Sequence, residues 1–266
     1  MYRRIILIGC IALCGSILTG KEVVAEPIKT LTFAVNSPGS RPYAYFDNEG
    51  QRYHGLVADF FAFTARKNLL RANFVDSNRT RSEQFLNEGK IDILLANTNW
   101  FANSENLISS MPIMQHQSYL YGLRPFSENF SLESLKHKRI CTRTGFVYTG
   151  LAPFFQQQSL IRVDSSNQTA MAAMLAKGRC DYAVMNNYNA ALTFSDAQFC
   201  TVTIYQSPTP TSAVPLSFVI RRDMQSVKTI IDQQLQAYID SGEFTESLNF
   251  HSKDLHFPTT ATCRAK

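Results

Sequence analysis

The sequence lacks most of the patterns that mark an enzyme or a nucleic-acid-binding protein. It contains no Gly-x-Gly-x-x-Gly, no phosphate-binding loop, no Gly-x-Ser-x-Gly and no His-Glu-x-x-His motif, and its five histidines are scattered. No run of Lys and Arg is interleaved with aromatic residues, so the net charge of +5 is the ordinary charge of a soluble surface. We therefore expect a non-enzyme with no catalytic residue, no metal, no cofactor and no nucleic acid partner.

Long apolar runs are also scarce, and the one that stands out is at the N-terminus. Arg3 and Arg4 precede an apolar stretch from Ile5 to about Leu18, and a small-residue pattern ends at Ala25. This order is typical of a secretory signal peptide, whereas the stretch is too short for a membrane anchor. We predict cleavage of residues 1–25 after Ala25 and a periplasmic location. Cleavage removes three basic residues and one acidic residue, which lowers the net charge from +5 to +3.

Four cysteines remain after that cleavage: Cys141, Cys180, Cys200 and Cys263. An even number of cysteines in an exported protein predicts disulfides. Three connectivities are compatible with four cysteines, and the sequence does not choose among them. The spacings match no paired metal-ligand motif, which favours disulfides over a metal site.

A nine-residue pattern occurs twice, at 89–97 and at 178–186. Each copy reads glycine, basic residue, any residue, aspartate, an apolar run and asparagine. Both copies follow helical patterns, at 81–88 and 167–177, so each glycine is predicted to end a helix at positive φ. The apolar runs lack strict alternation, as is typical of parallel strands covered by helices on both faces.

Strands and helices alternate along the rest of the chain, which predicts an α/β protein with parallel sheets and right-handed crossovers. Two extended stretches, 118–124 and 215–222, flank the second half, so the chain is expected to cross over and return. We predict two Rossmann-like α/β lobes joined by a two-strand hinge, which permits closure. Lobe 1 comprises residues 26–122 and 216–266, and lobe 2 comprises residues 123–215.

The order of several short motifs resembles the family 3 extracellular solute-binding proteins, the periplasmic receptors of polar amino acid uptake systems. The resemblance covers nearly all of the mature chain and rests on Arg41-Pro42-Tyr43, the Gly55 to Asp59 helix start, both repeat copies, Ser110-Met111-Pro112, Gly145 and Gly242. It implies a type II periplasmic-binding-protein fold that closes like a Venus flytrap on a small polar ligand. The implied partner of this monomer is the permease of an ABC importer or a membrane sensor kinase or cyclase. A cyclohexadienyl dehydratase-like enzyme is the alternative.

Two departures from that family affect the amino acid clamp. No Lys or Arg occurs between Lys90 and Arg124, where the family carries an arginine that binds the ligand carboxylate. Asn186 stands where the family's ammonium-binding aspartate would be. A buried zwitterion without counter-charges is costly, so we expect standard α-amino acids to bind with dissociation constants on the order of mM or weaker.

Ligands of open parallel sheets bind beyond the carboxyl ends of the strands, where this sequence places amides, aromatic rings and a guanidinium. Arg143 is the preferred anchor for an anionic group because it precedes the turn at Gly145, and Arg41, Arg79 and Arg81 are further candidates. Asn97 and Asn186 can also cap the turns that follow them. The predicted ligand-binding residues are Tyr43, Asn97, Asn99, Trp100, Arg143, Tyr148, Asn186 and Tyr188.

Overall fold

The computed structural model describes residues 28–37 and 39–257. The predicted signal peptide and Cys263 lie outside these residues. No helix in the described part of the chain has the length and apolar character needed to cross a bilayer.

The strands of the described residues form one large sheet and one small antiparallel sheet. In chain order they are β1 (Lys29–Asn36), β2 (Gly39–Ser40), β3 (Ala44–Asp47), β4 (Arg52–His54), β5 (Leu70–Ser77), β6 (Ile93–Ala96), β7 (Leu107–Gly122), β8 (Lys138–Arg143), β9 (Leu160–Ser165), β10 (Tyr182–Asn186), β11 (Tyr205–Gln206) and β12 (Ser212–Arg221).

The helices pack on the large sheet. They alternate with the strands along the chain, as the sequence predicts. They are α1 (Leu56–Arg66), α2 (Arg79–Asn87), α3 (Ala152–Gln156), α4 (Gln168–Ala176), α5 (Asn187–Phe194), α6 (Gln225–Asp240) and α7 (Glu243–Ser252). Helix α5, helix α7 and the small sheet β2-β3-β4 had no counterpart in the sequence-based prediction.

The large sheet has two similar ends joined by two long strands. Its order is β5-β1-β6-β12-β7-β10-β8-β9, with β11 added beside β7. At one end β1 pairs in parallel with β5 and β6, and at the other β8 pairs in parallel with β9 and β10. The long strands β7 and β12 run antiparallel to each other between these ends. In this path β12 and β7 connect the two ends, and a cavity lies between the ends.

At each end of the sheet, the repeated nine-residue pattern ends a helix and links two parallel strands. Gly89 and Gly178 have φ values of 72° and 66°, as a helix-ending glycine requires. The Asp92 carboxylate accepts a hydrogen bond from the Thr32 amide of β1 at 2.8 Å. Asp181 accepts one from the Arg139 amide of β8, also at 2.8 Å. Each aspartate therefore ties the last parallel strand of its unit to the first.

Each end of the sheet has its own apolar core. In the first, Phe33 and Phe60 pack around Phe218 with ring centroids 6.2 and 5.2 Å away. In the second, Tyr121 packs against Phe194 at 5.6 Å. We refer to the two ends as lobe 1 and lobe 2; the residue boundaries given above for them remain a prediction.

One disulfide joins Cys141 of β8 to Cys180, in the second copy of the repeat. Cys200 is also disulfide-bonded. Of the three connectivities open to the sequence, only the one that contains Cys141–Cys180 is compatible with this bond.

Candidate functional site

A cavity of about 920 Å³ lies between the lobes, at the carboxyl ends of the parallel strands. Its lobe 1 wall comes from the end of β1, the Gly39–Ala44 segment, the start of α2 and the end of β6. Its lobe 2 wall comes from the end of β8, the start of α4 and α5. His116 of β7 and Leu216 of β12 contribute from the connecting strands. The volume is in the range of small-molecule binding sites.

Arg79 provides a cation on the lobe 1 wall. The Asn78 side chain caps α2 by accepting from the Arg81 amide at 2.8 Å, which places Arg79 in the first turn. Its Nη2 donates to the Trp100 carbonyl at 2.7 Å, and its guanidinium lies 4.3 Å from the ring centre of Phe101. Glu83 Oε2 is 3.7 Å away. Burial lowers the pKa of Arg79, and Glu83 opposes that shift only in part.

Arg143 provides a second cation on the lobe 2 wall, at the end of β8. Its guanidinium lies 4.3 Å from the ring centre of Phe146, and its amide donates to Tyr148 Oη at 2.9 Å. Its carbonyl accepts from Arg162 Nη2 at 3.2 Å. Within the described residues no carboxylate lies within 4.0 Å of this guanidinium, so its charge is unbalanced. Burial lowers the pKa of Arg143.

An aromatic cluster lies where the lobes approach each other. Tyr43 Oη is 3.2 Å from His116 Nδ1, and the Trp100 ring meets the His116 ring edge-on with centroids 5.3 Å apart. Tyr43 also contacts Tyr188 of α5 edge-on at 6.0 Å, a contact that crosses from lobe 1 to lobe 2. Burial lowers the pKa of His116 to about 4, so its imidazole is neutral at pH 7.

Most of the unpaired buried polar atoms belong to residues that line this cavity. Five buried side-chain atoms have no hydrogen-bond partner among the described residues, and four of them belong to residues that line the cavity: Arg79 Nη1, Ser82 Oγ, Arg143 Nε and Gln168 Oε1. An unpaired buried polar atom costs about 1–3 kcal/mol, so native proteins keep few of them. Their occurrence in residues around one cavity between two lobes indicates a site shaped for a polar ligand.

Four of the eight predicted ligand-binding residues line the cavity: Tyr43, Trp100, Arg143 and Asn186. Asn186 Oδ1 caps α5 by accepting from the Asn189 amide at 2.7 Å. Among the other candidate arginines, Arg79 also lines it. Arg81 is exposed, and Arg41 Nε donates to the His251 carbonyl at 3.1 Å.

The other four predicted residues do not line the cavity. Asn97 donates to the Pro215 carbonyl of β12 at 2.8 Å and accepts from the Asn99 amide, so it tethers β6 to a connecting strand. Tyr148 lies beneath Arg143 in the lobe 2 core, where burial raises its pKa to about 12. Tyr188 packs against Tyr43. Their binding role remains a prediction.

The sequence reasoning missed most of the other lining residues, and Ser82, His116 and Gln168 are polar examples. Gln168 begins α4 directly after β9, so the rule that ligands bind beyond strand ends could have included it. Ser82 follows one helical turn after Asn78 in a segment already marked by Arg79 and Arg81. His116 lies in the middle of a long strand, and no local pattern marks it.

No family model and no curated protein sequence matches the chain. Many solved structures resemble it. A mutant of the arginine-binding protein ArgBP from T. maritima has a TM-score of 0.68 at 15% identity over 84% of this chain and 95% of its own. An ancestral arginine-binding protein bound to arginine has a TM-score of 0.69 at 17% identity, over 84% and 97%.

A further neighbour is the ancestral amino acid-binding protein AncCDT-1, described as a precursor of cyclohexadienyl dehydratase. It has a TM-score of 0.66 at 16% identity over 84% of this chain and 95% of its own. At such identities the likeness establishes the fold alone. The prediction of a two-lobed α/β fold of the type II periplasmic-binding kind is confirmed.

Proposed function

We propose that this protein is an exported solute-binding protein that closes around a small polar ligand between its lobes. The observation that carries the proposal is the interlobe cavity, to which both lobes contribute buried polar atoms without protein partners. A ligand that pairs with these atoms would be held by both lobes at once. It would therefore bind the closed arrangement more tightly than an open one and shift the population toward closure.

The connecting strands supply the hinge in this proposal. Strands β7 and β12 pair from Leu107–Arg221 at one end to Ser118–Ser212 at the other, with register irregularities around Ser217. Such irregularities weaken the ladder locally and permit bending between two rigid lobes. The proposed lobes are residues 26–122 with 216–266, and residues 123–215.

The proposed location is the periplasm. The N-terminal pattern predicts export, and the Cys141–Cys180 disulfide is typical of an oxidising compartment. One structural neighbour is described as the substrate-binding protein of an amino acid ABC transporter, which supports delivery to an importer. A membrane sensor kinase or cyclase is the second proposed partner, because the absence of the amino acid clamp favours an unusual ligand.

We propose a binding rather than a catalytic role for the cavity. Among its described lining residues the titratable acid is Asp196, which is exposed and accepts from the Gln198 amide, and the imidazole is His116. The low pKa of His116 makes it a poor proton acceptor near pH 7. The dehydratase-like alternative derives its support from the AncCDT-1 likeness and would need an acid–base pair placed in the cleft.

The test is a ligand screen on the mature protein produced with its own leader. Small molecules released from the purified protein would be identified by mass spectrometry, and a metabolite library would be tested by thermal shift. We expect a solute that raises the melting temperature, changes Trp100 fluorescence and reduces the radius of gyration in X-ray scattering. Solutes that bind without compaction, or conversion of the bound solute to a product, would contradict the proposal.

A further inference from the structure

The electrostatics of the cavity indicate which class of solute it takes. We propose that the ligand is an organic acid with an apolar body and no ammonium group, whose carboxylate is held between Arg79 of lobe 1 and Arg143 of lobe 2. This proposal rests on the function proposed above and specifies its substrate class.

The segments that carry the two arginines approach each other across the cavity. An added Cβ on Gly145, two residues after Arg143, would be 2.9 Å from the Oγ1 of Thr80, the residue after Arg79. The start of α2 and the turn after β8 therefore meet across the cleft. Both arginines line the cavity, and an anion bound between these two segments would be within reach of a cation from each lobe.

Each arginine has a buried donor atom without a protein partner, which a carboxylate could pair with after a small side-chain adjustment. The Arg79 side chain is 10% exposed, its Nη2 is used by the Trp100 carbonyl, and its Nη1 is unpaired. Arg143 Nε is buried and unpaired. Nε and an adjacent Nη of one guanidinium present the parallel pair of N–H groups that a carboxylate accepts.

The start of α4 adds a third source of positive potential. Asn167, Gln168 and Thr169 line the cavity, and Ser165, two residues before Asn167, is the register partner of Arg143 in the β8–β9 pair. The N-terminus of α4 therefore lies next to Arg143 at the same edge of the sheet. Helix N-termini attract anions through their free N–H groups and dipole.

Nothing comparable is available for an ammonium group. Among the described cavity residues Asp196 is the acidic one, and it is exposed at the rim with its Oδ1 already accepting from the Gln198 amide. The buried position that could carry a negative charge is occupied by the neutral Asn186. A zwitterion would therefore lose hydration at its ammonium group without a counter-charge.

Part of the remaining wall is apolar and partly aromatic, beside polar residues such as Asn36 and Asn189. Trp100, Phe146 and Leu216 line the cavity, and Phe146 also lies under the Arg143 guanidinium. The apolar body of the solute is thus expected next to its carboxylate. This combination fits aryl or alkyl carboxylates better than sugars or polyamines.

The test is isothermal titration calorimetry with matched carboxylate and amide probes: benzoate with benzamide, phenylacetate with phenylacetamide, and hexanoate with hexanamide. We expect at least one carboxylate to bind about tenfold or more tightly than its amide, with an advantage that shrinks as salt increases. L-Phenylalanine should bind about tenfold more weakly than phenylacetate. Carboxylates that bind no better than their amides would overturn the proposal.

Variants locate the effect at the two arginines. Arg79→Gln and Arg143→Gln should each weaken carboxylate binding about tenfold or more and change amide binding by no more than about twofold. Arg143→Lys should be intermediate, since it keeps the charge and loses the paired donors. The exposed Arg81→Gln on α2 and Arg179→Gln in lobe 2 are matched controls and should bind like the wild type. Equal losses for carboxylates and amides would contradict the anion assignment.

Asn186→Asp adds a negative charge to the cavity and keeps the α5 cap, because a carboxylate also accepts from the Asn189 amide. The variant should bind phenylacetate about tenfold more weakly than the wild type does. Its affinity for L-phenylalanine should rise relative to its affinity for phenylacetate. If no carboxylate binds but a neutral, cationic or zwitterionic solute of the library binds and compacts the protein, the proposed substrate class is wrong. The proposed function would then still stand. If no solute binds at all, both fail.

Discussion

His116 is a titratable side chain that lines the cavity. Its ring lies between Tyr43 and Trp100, and no carboxylate of the described residues lies within 4.0 Å of it. Burial lowers its pKa to about 4. Burial also raises the pKa of Tyr43, so both members of this hydrogen-bonded pair stay neutral around pH 7.

Acid should therefore destabilise the protein through His116. Because the folded pKa is below the ordinary value of about 6.5, the unfolded chain takes up the proton first as the pH falls. The stability associated with the neutral ring is complete above about pH 6.5 and is lost as the pH falls toward 4. We expect a loss on the order of 2 kcal/mol, after a discount for solvent that reaches the cavity side of the ring.

Urea unfolding of the wild type and His116→Gln at several pH values between 7 and 4 measures this loss. The variant should not show the part of the acid-induced loss of unfolding free energy that is due to His116. The difference in unfolding free energy between the wild type and the variant should therefore shrink as the pH falls. His256→Gln, at an exposed histidine, is the control and should follow the wild type. Parallel pH profiles for the wild type and His116→Gln would refute the expectation.

The limits of sequence reasoning are clear at two asparagines in equivalent places. Asn97 and Asn186 end the two copies of the repeat, and both accept a hydrogen bond from a following amide, as their pattern allows. Only Asn186 lines the cavity, because the Asn97 amide group reaches the Pro215 carbonyl instead. That partner is 118 residues away in sequence, so no local pattern could reveal the difference.

At the scale of elements, the repeat shows how one local pattern specifies two similar units. Its glycines predict helix ends and its apolar runs predict parallel strands, and the structure has both in each lobe. The prediction missed α5, α7 and the hairpin sheet β2-β3-β4. Helix α7 is short, and its buried residues are only Ser247 and His251, so its position depends on tertiary contacts such as the His251–Asp59 pair at 2.9 Å.

The repeat also isolates the contribution of the disulfide. Cys180 occupies the position of Ile91 in the first copy, and Cys141 pairs with Ala183 as Ala34 pairs with Leu94. Lobe 1 thus shows which apolar residues replace the two cysteines in an equivalent setting. Ala34, Ile91, Cys141 and Cys180 are all buried.

Two double variants separate the cross-link from packing. Cys141→Ala with Cys180→Ile reproduces the lobe 1 pair and should lose about 2–4 kcal/mol of unfolding free energy, the usual effect of a lost cross-link. Cys141→Ala with Cys180→Ala should lose about 1–2 kcal/mol more, because it also leaves a cavity. Denaturant unfolding with and without reductant measures both. If reductant leaves the wild type unchanged while the bond is open, the cross-link contributes nothing.

At the scale of the whole molecule, the lobes are in contact at two places. Tyr43 meets Tyr188 at one of them, and Thr80 meets the Gly145 turn at the other. These residues are far apart in sequence and belong to segments with different patterns. The sequence therefore predicts two lobes and a hinge, whereas the residues that meet on closure follow only from the tertiary arrangement.

Gly145 offers a way to hinder closure without touching the arginines. It has a φ of 78°, and an added Cβ would approach Thr80 Oγ1 to 2.9 Å. Gly178 has a φ of 66° in the same lobe, but an added Cβ there meets nothing within 4 Å. Gly145→Ala thus adds backbone strain and an interlobe clash, whereas Gly178→Ala adds the strain alone.

Both alanine variants should lose about 1 kcal/mol of stability through strain, and only Gly145→Ala should bind the screened solute about tenfold more weakly and show less compaction with ligand. Thr80→Ala combined with Gly145→Ala removes the clashing Oγ1 and should recover most of the affinity while the strain persists. Calorimetry, X-ray scattering and urea unfolding of the three variants separate these effects. Equal affinity losses in Gly145→Ala and Gly178→Ala would mean that binding responds to lobe 2 strain, and closure at the Thr80 contact would then contribute nothing to ligand capture.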